Sequence, residues 1–284
     1  MRLFRWRRRN DAGQMAGTPF AQTAVLYRAG RYAEAEAEAR SVAAGPFRPR
    51  HAHYGPLAMG IAAVTVGAQG RHADAVAMFD ELLPAFVRDY GSEHRYTLKL
   101  RSDRAQELAA LGRYGECEAE CAAVAQLADH GTGPDMQFIA AGARNGQVYA
   151  LAALGRHVEA EVLVRLVLAT HFEPDPLRLV LRLALADSLS GQGRHAEALA
   201  EVQRADVMRR GLSEGDYRPA TGTVDLAAAT ALFGLGRGTE AQPRAAAAYD
   251  ACLAVFGPDH SRTCKAKALL DRIDGLEQAG HGGM

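Results

Sequence analysis

One short motif recurs six times along the chain and most constrains what it can fold into. Its pattern is Gly-Arg, then a tyrosine or histidine, any residue, an acid, and alanine or cysteine, with Gly238 in the ring position of a degenerate last copy. The copies begin at Gly30, Gly70, Gly112, Gly155, Gly193 and Gly236, so their spacings are 40, 42, 43, 38 and 43 residues. Self-similarity at a period of roughly 20–50 residues is typical of stacked repeat architectures.

Each copy of the motif marks a turn between two helices. Leucine or valine lies four residues before every glycine, which gives the preceding helix an apolar face. Glycine ends that helix because it adopts a left-handed conformation without steric cost. The arginine and the acid stand three residues apart and can pair at the start of the second helix, while the ring can wedge between the two helices. The sequence therefore predicts an all-α chain of six helix hairpins.

The turn pattern resembles that of the tetratricopeptide repeat, in which Gly-x-Tyr-x-x-Ala joins the two helices. The long period, and the joints at residues 90–98 and 256–263, are similar to the kinesin-light-chain type of this repeat. The chain departs from that type at Gly238 and in the joints after repeats 1, 3, 4 and 5. The resemblance implies a right-handed superhelical solenoid of about six hairpins. HEAT and armadillo repeats have similar periods but a different turn pattern.

Three regions are expected along the chain. Residues 1–17 form a basic, disordered tail, residues 18–279 form the solenoid, and residues 280–284 form a second tail. The helix at about 260–278 has no partner helix and fits the terminal cap that solenoids need, with Leu269, Ile273 and Leu276 on one face. Residues 211–219 form the longest joint and the expected hinge. Pro243 is tolerable only if its helix begins close to it.

Charge and hydropathy exclude several classes of protein. The 33 basic and 33 acidic residues balance, so no overall field favours nucleic acid or a membrane. No apolar run approaches the roughly 18 residues of a membrane helix, and no apolar segment follows the basic N-terminus as in a signal peptide. We therefore expect a cytoplasmic protein. The abundance of alanine, arginine and glycine suggests, by composition alone, a high-GC bacterial source.

The basic N-terminus has two interpretations. Arg2, Arg5 and Arg7–Arg9 surround Phe4 and Trp6. Such a segment can contact a membrane surface or a nucleic acid, because the arginines attract anions while the rings insert or stack. It can equally be a frayed terminus, which we prefer because nine residues are too short for an independent element.

Candidate catalytic and metal-binding residues have structural explanations. Cys117 and Cys121 share one helix face, but a nearby histidine or second cysteine pair is missing. His72, His157 and His195 occupy the ring position of the turn motif. No glycine-rich loop suited to phosphate is present. We predict no enzyme, no metal site and no cofactor.

The resemblance also implies a concave groove lined by the first helix of each repeat. In that family the positions 13, 10, 9 and 6 before the turn glycine face inward, and Asn145 matches the asparagine that grips a peptide backbone. Mapped onto this sequence, the groove is apolar at its N-terminal end and polar in the middle. The candidate residues are Phe20, Ala24, Leu57, Gly60, Ile61, Val64, Lys99, Ser102, Asp103, Gln106, Asn145, Tyr149, Asp187, Thr223 and Thr230.

A second column of residues is basic. Arg101, Arg144 and Arg182 each lie eleven residues before a turn glycine. Such a row can clamp an acidic peptide. Alternatively, the arginines pair with acids of neighbouring helices, which we favour because the column lies about 100° around the helix from the nearest groove position.

Three classes of function fit this sequence. The leading hypothesis is a non-enzymatic scaffold that binds a peptide or protein segment in the groove. The alternatives are a peptide-sensing regulator that acts through a separate partner, and a structural homo-oligomer. The apolar end of the groove can be filled by a ligand, by the N-terminal tail or by a second copy of the chain.

Overall fold

The computed structural model describes residues 19–48, 53–171 and 175–281, with side chains up to Gly275. Within these residues the chain is helical, and no strand is present. The predicted basic segment Arg2–Arg9 lies outside the described residues. The helices are α1 (Ala21–Arg28), α2 (Tyr32–Ala43), α3 (Tyr54–Ala68), α4 (His72–Tyr90), α5 (Arg95–Ala110), α6 (Tyr114–His130), α7 (Pro134–Ala153), α8 (His157–Thr170), α9 (Pro176–Gly191), α10 (His195–Arg209), α11 (Glu214–Tyr217), α12 (Thr223–Gly234), α13 (Gly238–Phe256) and α14 (Ser261–His281).

The six turn glycines all have a positive φ, between 72° and 85°. In five of the turns the next residue, an arginine, donates its backbone N–H to the carbonyl of the leucine four residues before the glycine, as Arg113 does to Leu108 at 2.9 Å. This arrangement is the Schellman motif, which satisfies carbonyls at a helix end. The predicted pairing of that arginine with the acid three residues later is confirmed in all six turns.

The ring position of the motif differs from its prediction. We expected the ring to wedge between the two helices of its own repeat, and only Tyr32, which meets Tyr27 of α1, has a described ring partner there. His157 and His195 instead lie against glycines of the next repeat, where a Cβ would come within 2.4 Å of the imidazole. The histidine ring therefore contacts the following repeat. A glycine near the end of the first helix of that repeat leaves room for the ring.

The chain forms two compact units, which divide inside α7 after Ala150. In the first unit, α3 is the most buried helix: almost every residue from Ala58 to Gly67 is hidden from solvent. Its side chains join two apolar clusters, one centred on Phe79 and Phe86 and the other on Phe20. The prediction of one solenoid over residues 18–279 stays a prediction.

The second unit has one apolar cluster built by its last helices. Leu269 and Ile273 of α14 pack there against α12 and α13, while Lys265 and Arg272 are exposed. Helix α14 thus covers the end of the last hairpin as a cap does. The side chain of Leu276 lies outside the described residues.

Two stretches of the second unit have irregular sequence. The helix that contains Pro243, α13, begins at Gly238 and takes the proline inside its second turn. The cost is one backbone hydrogen bond, because only the first four N–H groups of a helix lack an intrahelical acceptor and Pro243 lies beyond them. The predicted hinge at residues 211–219 contains the short helix α11 and leads into a 3₁₀ turn at Arg218–Ala220.

Candidate peptide-binding face

The first two repeats bring four predicted groove residues together. Phe20, just before α1, and Ala24 within α1 meet Ile61 and Val64 of α3 around a small recess, which is completed by Thr23, Tyr27 and Thr65. Inward positions of adjacent repeats therefore do converge in this unit. Sequence reasoning missed the three completing residues because they lie outside the four mapped positions.

Most of the apolar surface predicted at this end is already covered. Ile61 and Val64 are buried, and Leu57 is half-buried against the same clusters. Gly60 lies so close to α5 that a Cβ there would stand 3.0 Å from a methyl group of Leu100. What remains accessible is the recess itself, in which Thr23 is 1% exposed and its hydroxyl has no hydrogen-bond partner among the described residues.

The predicted residues on α5 are polar and partly paired. Lys99 and Asp103, one turn apart, form an ion pair. Ser102 is buried. The Gln106 Oε1 atom is buried and accepts no hydrogen bond from any described group. The unsatisfied oxygen is the notable feature, because a buried acceptor without a donor costs roughly 1–3 kcal/mol.

Helix α7 supplies the matching residues of the fourth repeat. Asn145 is 6% exposed, and its side chain makes no hydrogen bond to the rest of the described chain. Tyr149 is 40% exposed and meets the ring of Tyr114 edge-on, with centroids 6.2 Å apart. Helices α5 and α7 pack together in two shared apolar clusters. Gln106 and Tyr149 each lie six residues before the turn glycine of their repeat, so they occupy equivalent positions on the first helices of neighbouring repeats.

Asp187 belongs to the second unit. Its side chain is accessible to solvent, yet the surrounding helices displace much of the water around it. This desolvation raises the pKa of the Asp187 carboxyl, and the nearby positive charges of Lys265 and His157 oppose the rise. The hydroxyls of Thr223 and Thr230 donate to carbonyls of Ala220 and Leu226.

The three arginines of the basic column already pair with acids. Arg101 binds Glu120 and Arg182 binds Glu201, each at 2.6 Å across its own hairpin. Arg144 binds Asp129 of the preceding repeat. These contacts match the alternative that the sequence left open. A clamp on an acidic ligand would first have to break them.

The two neighbouring cysteines of α6 are buried and form no metal-binding group. No group of three His, Cys, Asp or Glu side chains in the described parts of the chain could hold a metal ion. The sulfur atoms of Cys117 and Cys121 are 3.9 Å apart and buried. The hydrogen bond between them lowers the pKa of Cys117 as the acceptor and, together with burial, raises the pKa of Cys121 as the donor, so Cys121 remains a thiol. None of the described helices is long and apolar enough to cross a membrane.

Comparisons with known proteins identify the repeat in two segments of the chain. The family model of the tetratricopeptide repeat matches residues 20–41 and 179–204. The chain therefore contains tetratricopeptide repeats. No curated protein sequence matches it.

Two solved structures share this tetratricopeptide-repeat fold. One is from Podosopora anserina, described as a kinesin light chain with nearly identical TPR-like repeats; it is 19% identical, the match covers 70% of this chain and 96% of that one, and the TM-score is 0.52. The other is PlcR of Bacillus thuringiensis in complex with the peptide PapR7 and DNA; it is 16% identical, the match covers 79% and 73% of the two chains, and the TM-score is 0.54. At these identities the likeness concerns the fold.

Proposed function

We propose that this protein is a non-enzymatic interaction scaffold that binds an extended peptide segment on the first helices of its repeats. The observation that carries the proposal is the pair of amides on α5 and α7 that make no hydrogen bond at their oxygen or at all within the described chain. Gln106 has a buried oxygen without a donor, and Asn145, 6% exposed, has polar atoms that reach solvent but no hydrogen bond to the described chain. A side-chain amide offers both a donor and an acceptor, which is what the backbone of an extended peptide requires.

The neighbouring residues define what such a peptide would meet. Tyr149 offers an exposed ring beside Asn145, and rings of this kind anchor bound segments at low entropic cost. Lys99 and Asp103 neutralise each other, so this part of the face does not favour a strongly charged ligand. The recess around Phe20 and Ile61 would take one small apolar side chain. The tetratricopeptide family and the complex of PlcR with a peptide support this function as analogies.

A peptide display library tests the proposal without knowledge of the natural partner. The purified protein is compared with the triple variant Gln106→Ala, Asn145→Ala, Tyr149→Ala. We expect an enriched peptide to lose about tenfold or more in affinity for the variant. Gln126→Ala, an exposed amide on α6, is the control and should change nothing. Circular dichroism must show equal helicity in all three proteins. Equal affinity of a helical triple variant would overturn this site.

A further inference from the structure

Helix α8 carries an exposed apolar stripe on the second unit. Val158, Val162 and Leu166 are 63%, 67% and 56% exposed. They are spaced four residues apart, so they lie on one face of the helix over about 12 Å. Three adjacent aliphatic side chains in water are unfavourable, whereas single exposed ones are ordinary.

The other repeats show that the fold does not need this stripe. Its residues stand three, seven and eleven positions after the turn glycine. The remaining repeats hold small or polar residues or proline there: Ala33, Ala37 and Ser41; Ala73, Ala77 and Glu81; Gly115, Ala119 and Ala123; Ala196, Ala200 and Arg204; Thr239, Pro243 and Ala247. Large aliphatic residues at all three positions are thus peculiar to repeat 4, which points to a contact outside the hairpin.

The border of the stripe is electrically neutral. Arg156 pairs with Glu159 at 2.6 Å, and Glu161 binds both Arg165 and Arg194, at 2.7 and 2.6 Å. Arg194 also pairs with Glu197 at 2.7 Å, so three arginines meet three glutamates. These charges are compensated within the chain itself. A strongly acidic or basic partner would gain little here, and an apolar stripe with a neutral border is the better complement.

We propose that the occupant is a second copy of this chain, packed antiparallel with α8 against α8 and the two-fold axis at Val162. The stripe is self-complementary in this arrangement. Val162 meets Val162 of the second molecule at the axis. On either side of it, Val158 of one molecule meets Leu166 of the other, so the three side-chain pairs have similar volumes. This is an isologous contact of the kind that closes a dimer.

The area of the contact sets its strength. Two turns of helix bury less than the roughly 800 Å² per partner of a standard interface. The dimer should therefore be weak, with a dissociation constant on the order of 100 µM. It lies on the second helix of its repeat, apart from the peptide-binding residues, so it stands or falls independently of the proposed function.

Sedimentation equilibrium tests the dimer. We expect the wild type to self-associate between about 5 and about 500 µM, a range that brackets the expected dissociation constant. Val162→Lys should be monomeric throughout. Ala77→Lys, at the same position of repeat 2 and likewise exposed, adds the same charge and should behave as the wild type. A wild type that is monomeric throughout overturns the proposal and leaves the stripe to another protein. Equal dimerisation of the Val162→Lys variant also overturns it.

Cysteine cross-linking tests the direction of packing. In a Cys264→Ser background, which removes the exposed native thiol, Val162→Cys should oxidise to a dimer with itself. Val158→Cys should cross-link efficiently only when mixed with Leu166→Cys. Efficient self-linking of Val158→Cys together with no mixed product would overturn the antiparallel arrangement.

Discussion

Repeats 5 and 6 form the same hairpin with different side-chain chemistry. The first helix of repeat 5, α9, begins at a side-chain cap: Asp175 accepts the backbone N–H of Arg178 at 2.9 Å and lies 3.0 Å from the His171 ring. The first helix of repeat 6, α12, begins after Gly222, which has φ 75° and makes no side-chain cap. One helix start thus depends on a hydrogen bond, and the other on a backbone conformation.

The ion pair across each hairpin reverses between the two repeats. In repeat 5 Arg182 of α9 binds Glu201 of α10 at 2.6 Å, and in repeat 6 Asp225 of α12 binds Arg244 of α13 at 2.7 Å. The partners are 19 residues apart in both. The geometry of the hairpin therefore fixes where a pair can form, but not which helix carries the positive charge.

The joints that precede the two repeats also differ: one is polar and the other is apolar. Glu161 of repeat 4 accepts hydrogen bonds from Gln192 and Arg194 of repeat 5, at 2.8 and 2.6 Å. The positions equivalent to Glu161 and Gln192 in the next joint are Leu199 and Leu235. Leu199 packs against the apolar cluster of the last helices. Polar and apolar contacts can thus close the same joint.

The largest effect is expected at the start of repeat 6. Gly222→Ala would place a Cβ 2.4 Å from Cys252 Sγ and 3.0 Å from the Ala248 carbonyl oxygen. With strain at positive φ added, we expect a loss of about 2–4 kcal/mol in the free energy of unfolding, measured by urea denaturation. Gly236→Ala, in the turn of the same repeat, shares the positive φ (72°) but has no atom within 4 Å of the added Cβ, so it isolates the strain at about 1 kcal/mol. Equal losses would show that the close packing contributes nothing.

A smaller loss is expected at the start of repeat 5. Asp175 is 4% exposed, and Asp175→Ala removes the acceptor of the Arg178 N–H. We expect about 1–2 kcal/mol less stability, as for other lost caps, in the same denaturation assay. Ser213→Ala removes the exposed cap of the four-residue helix α11 and should cost clearly less. If Ser213→Ala costs as much as Asp175→Ala, burial does not strengthen the cap.

The sequence predicted the repeated features of these hairpins and missed those that vary. The glycine turns and the arginine–acid pairs follow from local spacing, which backbone geometry enforces in every repeat. The reversed pair of Asp225 and Arg244 was missed because we searched for arginine at the position eleven residues before the turn glycine. In repeat 6 that position holds the acid of the pair, Asp225. At the candidate site, the mapped positions identified Gln106 and Asn145, but their missing partners depend on neighbouring helices.

The two reversed ion pairs should differ in strength because their burial differs. Glu201 is buried and also pairs with Arg204, so Glu201→Gln leaves two arginines without a counter-charge, and we expect a loss of about 1–2 kcal/mol in unfolding free energy. Arg244 is half exposed, so Asp225→Asn should cost at most about 0.5 kcal/mol. Equal losses would mean that the pairs are equivalent despite their different exposure.

The polar joint should give the smallest effect, visible as a pH dependence. Burial alone would raise the pKa of Glu161, but hydrogen bonds from Gln192 and Arg165 and the charges of Arg165 and Arg194 lower it below its usual value of 4.5. A lowered folded-state pKa stabilises the fold at neutral pH and stops doing so as pH falls through it. The carboxylate is covered by the side chains of Gln192, Arg165 and Arg194, and both arginines are partly exposed to solvent, so we expect no more than about 1 kcal/mol.

The measurement compares the urea midpoints of wild type and Glu161→Gln between pH 7 and pH 3. The wild type should be the more stable at pH 7, and the difference should vanish as the carboxyl protonates below about 4.5. Glu159→Gln, in a fully exposed pair with Arg156, should show no resolved difference at either pH. A difference for Glu161→Gln that persists unchanged at pH 3 would not come from the charge. Because protonated glutamate and glutamine have nearly the same shape, it would trace the effect to the different hydrogen bonds of the neutral carboxyl and the amide, and charge would not be what stabilises this joint.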